Sequence, residues 1–119
     1  MSKLSSITAQ GHQDGRVWVL ELQGKLVLGD SSNRFRTTVA DLLKAGRQRI
    51  VLNFKGVPYA DSAGIGAIAF NFSTVKAAGG ILAVAEAQQT ILDVMELTRL
   101  SQLIPIFESE QEAVQSLAN

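Results

Sequence analysis

From Gly24 onward the sequence alternates between two periods. Segments whose apolar residues recur every three or four positions are separated by short, almost wholly apolar runs. Arg49-Ile50-Val51-Leu52-Asn53-Phe54 and Ile81-Leu82-Ala83-Val84-Ala85 are the clearest of these runs. Apolar on both faces and bounded by polar or glycine residues, they fit strands buried inside a sheet. Between them, Ile65, Ile68, Ala69, Phe72 and Val75 trace one face of a helix that Gly79-Gly80 stops. A helix carrying Phe35, Val39, Leu42 and Leu43 is expected to leave the Gly29-Asp30-Ser31-Ser32-Asn33 loop, capped by Ser31 or Ser32 and ended by Gly46. Residues 88–99, with Ile91, Val94, Met95 and Leu97, make a further helix. Residues 103–107 read as a short last strand, which Pro105 marks as an edge. Ser109-x-x-Glu112 is a capping box ahead of Ala113, Val114 and Leu117.

Before this alternation, residues 4–11 and 16–23 have strand character, and Gln13-Asp14-Gly15-Arg16 between them signals a hairpin. In the second run Trp18, Leu20 and Leu22 share one face while Val17, Val19 and Glu21 share the other. That strand is expected to be buried on one side and partly covered on the other. The resulting order, β-β-α-β-α-β-α-β-α, predicts an α/β fold in which about five strands form a mixed sheet and about four helices pack on it. At 119 residues the whole chain, 1–119, is expected to be one domain. Sites on such sheets tend to lie beyond the carboxyl ends of strands. There, after the strand ending at Phe54, stands Tyr59-Ala60-Asp61-Ser62-Ala63-Gly64-Ile65-Gly66-Ala67-Ile68.

Composition narrows what that segment can do. Eleven basic residues against eleven acidic ones leave no global field to draw in nucleic acid or an anionic membrane. With no cysteine and the single His12, a thiolate nucleophile, a zinc ribbon and a multi-histidine metal site are all excluded. The N-terminus carries no basic segment followed by an apolar one, and no run reaches membrane-spanning length. A cytoplasmic protein without membrane insertion is the expectation.

Three chemistries fit the segment to different degrees. Ala60-Asp61-Ser62-Ala63-Gly64 is a variant of the strand-turn-helix elbow that exposes a catalytic serine, but His12 precedes Ser62 where the elbow requires a later histidine, and Ile65 stands where S-x-x-K would place a lysine. Gly64-x-Gly66-x-x-Ala69 matches a dinucleotide fingerprint, with Glu86 22 residues beyond Gly64, yet Gly64 follows Phe54 by ten residues instead of directly. The third is a switch: a hydroxyl on the first turn of a helix lies near free backbone N–H groups that tolerate a phosphate. Phosphorylation of Ser62 would then add about −1.5 to −2 charge without unfolding the chain. Beside all three stands the plain structural role, in which Asp61 is an N-cap, Ser62 an ordinary first-turn residue, and Gly64 and Gly66 permit close packing.

Ile50-Val51-Leu52-Asn53-Phe54, then Gly56-Val57-Pro58-Tyr59, then Asp61-Ser62-Ala63-Gly64-Ile65-Gly66, and then Ala78-Gly79-Gly80-Ile81-Leu82 together resemble a STAS domain, the sulphate-transporter and anti-sigma-factor-antagonist family. The resemblance runs over nearly the whole chain and accounts for the ten-residue offset. It implies an anti-sigma-factor antagonist that binds an anti-sigma factor with serine kinase activity, is phosphorylated on Ser62, and is reset by a serine phosphatase. It implies no catalytic residue, metal or cofactor in this chain, since ATP would belong to the kinase. The resemblance matches Asp61, Gly64 and Gly66 to the family's motif, and the binding face is expected to include Asp61, Ala63 and Gly64 around Ser62 with the neighbouring segment from Asp30 to Arg36, where Arg34 and Arg36 are candidates for polar contacts. Ala63 departs from the serine or threonine often found there, leaving Ser62 as the one modifiable position of the motif. Asp30, three residues after Val27, stands in for an acid that the family often places sooner. A stand-alone STAS module of a membrane transporter or stress-signalling assembly is the alternative, with a small nucleotide-binding domain behind it.

Overall fold

The computed structural model describes residues 4–119, so residues 1–3 of the expected domain lie outside the described residues. Strands β1 (Leu4–His12) and β2 (Val17–Gly24) form the expected hairpin. Its turn is wider than the two-residue Asp-Gly turn, because Gln13, Asp14 and Gly15 all take left-handed backbone conformations and His12 pairs with Val17. Helix α1 (Asp30–Lys44), β3 (Arg49–Gly56), α2 (Ser62–Ala77), β4 (Ile81–Ala85), α3 (Gln89–Leu97), β5 (Ile106–Phe107) and α4 (Glu110–Ala118) follow. The five strands lie in chain order, with β1 antiparallel to β2 and every later pair parallel. This is the mixed sheet with four helices that the sequence predicts.

Strand alternation sorts the core into two layers. Leu20 and Leu22 of β2, Ile50 and Leu52 of β3, and Leu82 and Val84 of β4 meet Phe35 and Val39 of α1, Ile68 of α2, and Ile91 and Met95 of α3. Val17, Val19, Val51, Ala83 and Ala85 point the other way, onto Ala113, Val114 and Leu117 of α4. Three helices therefore cover one face and one helix covers the other. Burying each large aliphatic side chain contributes about 1.5–3 kcal/mol, so a single helix on the second face secures a strip of small residues that would otherwise be wet.

Several expected boundaries shift, each for a local reason. Gly29, at φ 100°, is the N-cap of α1, so Ser31 and Ser32 do not cap it. The helix already begins at Asp30, so Ser31 and Ser32 lie inside its first turn, and both are buried with their hydroxyls bonded back to Val27. Ser31 Oγ accepts from Val27 N (2.8 Å) and donates to Val27 O (2.7 Å), and Ser32 Oγ donates to the same carbonyl (2.8 Å). Helix α3 stops at Leu97, where left-handed Arg99 turns the chain into a single 3-10 turn, Leu100–Gln102. β5 is only two residues long rather than five, since Pro105 lacks an N–H; it supplies its carbonyl to Val84 N (2.9 Å) at the start of the pairing. At α4, Ser109 Oγ accepts from Glu112 N (3.1 Å), and the free Glu110 N–H goes to the Glu86 carboxylate (2.8 Å).

The sheet also prolongs itself toward the Ser62 segment. Past Gly24 and Gly56 a parallel bridge joins Leu26 to Ala60, with Leu26 N donating to Tyr59 O (3.0 Å) and Asp61 N to Leu26 O (3.2 Å). The start of α2 and the β2–α1 loop are thereby held side by side.

Candidate functional site

Asp61 organises this junction. Its backbone is extended (φ −88°, ψ −174°), as an N-cap requires, and Oδ1 accepts from Gly64 N at 2.9 Å. Its second oxygen, Oδ2, reaches across to Leu28 N in the β2–α1 loop at 3.0 Å. One carboxylate thus caps α2 and pins the loop. Donation from the Gly64 amide, and next from Leu28, holds the Asp61 carboxyl below its ordinary value of 3.8. At neutral pH the group is a fixed anion.

Ser62 is the first residue of α2 and is exposed. Among the described residues nothing hydrogen-bonds its hydroxyl, and its own amide and that of Ala63 belong to the first turn, where helical partners are lacking. Ala63 is half-buried behind it, and Gly64 is buried. A Cβ at Gly64 would run into the carbonyl oxygen of Leu26, so α2 can lie this close to the loop only with glycine there. Gly66 is different. Among the described residues no heavy atom beyond its chain neighbours and its own helix backbone stands within 4 Å of where its Cβ would be, its φ is not positive, and it is exposed. Close packing within the chain, expected of both glycines, explains only the first.

The neighbouring segment divides in two. Asp30 opens α1 at the end of the pinned loop and is exposed, with Oδ2 3.8 Å from Arg34 Nη1. Arg34 is half-buried and donates to the carbonyl of Leu4 at 2.9 Å, so its guanidinium is engaged with β1 and Asp30. Arg36 stacks over Phe70 of α2, 4.6 Å from the ring centre. Asp61, Ser62, Ala63 and Gly64 form one compact turn, and neither Asp30 nor Arg34 makes a polar contact to it among the described residues.

The rival chemistries meet other obstacles. His12 stands beside Glu110 of α4 (Nε2–Oε2 4.0 Å), on the sheet face opposite α2. Lys76 is in the last turn of α2, at the far end from Ser62. Among the described residues no base hydrogen-bonds the Ser62 hydroxyl. Glu86, which a dinucleotide site would turn toward a ribose, caps α4, and Gly64 is closed by Leu26.

One feature was not foreseen from the sequence. An open groove of about 680 Å³ runs between α2 and the end of α3, lined by Ile65, Gly66, Ala69, Val94 and Leu100, with Ser62 at its edge. Tyr59 borders it and is 46% exposed. The available signal was Gly66, a helix-interior glycine that costs about 1 kcal/mol against alanine without a visible use. Leu28, whose N–H Asp61 holds, is 77% exposed, so apolar surface adjoins the serine turn from the loop as well. No helix among the described residues is long and apolar enough to cross a membrane.

Residues 8–113 match the family model of the STAS domain. An anti-sigma F factor antagonist from Paenibacillus polymyxa is 27% identical over 70 residues, 59% of this chain and 60% of that protein, so the chain matches somewhat less than two thirds of its relative's length. Among solved structures, a candidate anti-sigma factor antagonist from Thermotoga maritima superposes with a TM-score of 0.81 at 23% identity, covering 95% of both chains. The Bacillus cell fate determinant SpoIIAA in its phosphorylated form gives 0.73 at 19% identity over 93% of this chain and 98% of the other. SpoIIAA in its unphosphorylated form gives 0.71, also at 19%, over 93% and 96%. At these identities the structural likeness is one of fold.

Proposed function

The chain belongs to the STAS domain family, and on that premise we propose that it is a cytoplasmic anti-sigma factor antagonist whose binding to its partner is switched at Ser62. The partner is an anti-sigma factor with serine kinase activity, which binds the unmodified chain, phosphorylates Ser62 with its own ATP, and lets go; a serine phosphatase reverses the change. The observation that carries this reading is the exposed Ser62 hydroxyl on the first turn of α2, next to a carboxylate tied down by two backbone amides.

The physics of the switch follows from that geometry. A phosphate on Ser62 is compatible with the fold, because the residue is exposed and first-turn amides lie nearby. It is incompatible with a partner packed over the turn. There it would place about −1.5 to −2 charge beside the ionised Asp61, out of water and unpaired. Loss of a buried charge match costs about 2–5 kcal/mol, which is roughly thirty- to several-thousand-fold in affinity. Asp61, Ala63, Gly64 and the exposed Asp30 form the contact surface in this account, while Arg34 shapes it through Asp30.

The test is an incubation of the purified chain with ATP and each candidate serine-kinase anti-sigma factor of its own organism, read by intact mass. A gain of one phosphate on the parent and none on Ser62→Ala is expected. Phosphate persisting on the alanine variant would remove Ser62 from the mechanism, and no modification by any kinase would favour a stand-alone STAS module in a transporter or stress-signalling assembly.

A further inference from the structure

We propose that the outer edge of β1 is a self-association surface, on which a second copy of this chain lays its own β1 antiparallel about a two-fold axis and continues the sheet. The inference uses neither the Ser62 motif nor the groove, and it needs no other protein. Its starting point is that the two edges of the sheet are finished differently. β5 is two residues long, with Pro105 before it and Glu108 after it, and a short edge flanked by proline and charge templates little further pairing. β1, at the other edge, is nine residues long and carries no proline and no Lys, Arg, Asp or Glu. Its one irregularity lies between Leu4 and Ser6, and from Ser6 to His12 it pairs with β2 without a break.

A strand in an antiparallel pair turns only alternate N–H and C=O groups toward its partner, so the other set of β1 faces outward. Helix α1 packs beside β1, and Arg34 takes the Leu4 carbonyl at 2.9 Å, yet Ser5, Thr8, Ala9, Gln10 and Gly11 stay exposed. Outward main-chain groups suit one kind of occupant, another extended strand. The side chains indicate which. Addition of a foreign strand is made selective by pockets for its alternate side chains, whereas this stretch of serine, threonine, alanine, glutamine and glycine offers only small or neutral groups. Isologous pairing asks less. Under a two-fold, residue i meets j and j meets i, and such a contact suffers where like charges oppose. From Leu4 to Gly11 there is no charge to oppose in any register. The whole chain has eleven basic and eleven acidic residues, so two copies meet without net repulsion. Helix α1 also packs against α2, which separates the seam from the start of α2 and leaves Ser62 open in both copies.

The probe is the chain itself, followed by sedimentation velocity from about 5 μM to about 1 mM, the weak end of specific association. A shift from monomer to dimer across that range is expected. Thr8→Lys combined with Ala9→Lys puts a lysine on each face of the exposed strand, so that like charges meet across the seam. This variant is expected to stay monomeric throughout and to melt as the parent does. A parent that stays monomeric at about 1 mM overturns the proposal. So does a dimer that the two lysines leave intact, since its contact lies elsewhere. Amide hydrogen exchange on the parent, resolved by residue, carries the test even where the lysines disturb folding. Alternate amides between Ser5 and Gly11 are expected to exchange more slowly as concentration rises, while the β1 amides bonded to β2 do not change. Protection of β1 that is the same at every concentration means that the edge is covered within one chain or not at all, and it overturns the second copy as occupant.

Discussion

Asp61 does two structural jobs with one carboxylate, and both favour its ionised form. Its folded-state pKa is depressed by the Gly64 and Leu28 amides, so its contribution to stability is fully present above the unfolded value near 3.8 and is lost as pH falls through the lower folded value. Asp61→Ala is therefore expected to lower the urea midpoint at about pH 7 and to differ much less from the parent at about pH 2. An undiminished difference in acid would mean that the charge is irrelevant to the tie. Asp61 and Ser62 were legible because an acid and a serine ahead of an apolar helical face have few roles. Gly64 and Gly66 were not separable: their difference depends on the Leu26 carbonyl, which sequence spacing places 38 residues away and the fold places in contact.

The elements themselves were legible from period alone, and β4 matches its expected span of residues 81–85. Their ends follow tertiary partners that no local pattern contains. Ser31 and Ser32 look like caps because serine caps helices, yet in α1 they satisfy both polar groups of Val27. Removing the Ser31 hydroxyl leaves Val27 N without its acceptor, while Val27 O keeps Ser32. Ser31→Ala should consequently cost about 1–3 kcal/mol in equilibrium unfolding, the penalty of an orphaned buried donor. A change under about 0.5 kcal/mol, typical of an exposed position, would show that the loop is not fastened this way. The two-residue β5 has a similar lesson, since Pro105 marked an edge correctly while the apolar run around it overstated the strand.

For the molecule as a whole, the hairpin followed by βα alternation was enough to predict a mixed sheet with four helices. The second layer was half-visible. Val17, Val19, Val51, Ala83 and Ala85 are apolar on the face away from α1–α3, and their small size admits α4 closely; sequence could announce a covered face without naming its cover. The groove was invisible for the same reason as the Gly66 distinction, because it exists only between two helices that period places separately. The sheet is packed on both faces and Ser62 lies outside either core, exposed at the start of α2, so modification is expected to act on the partner and not on the fold. The decisive measurement is the affinity of one purified anti-sigma factor for the unmodified chain and for the chain quantitatively phosphorylated on Ser62, with circular dichroism recorded on both. Superimposable spectra and binding weakened by at least about thirty-fold on phosphorylation are predicted; equal affinity for the two forms would contradict the switch.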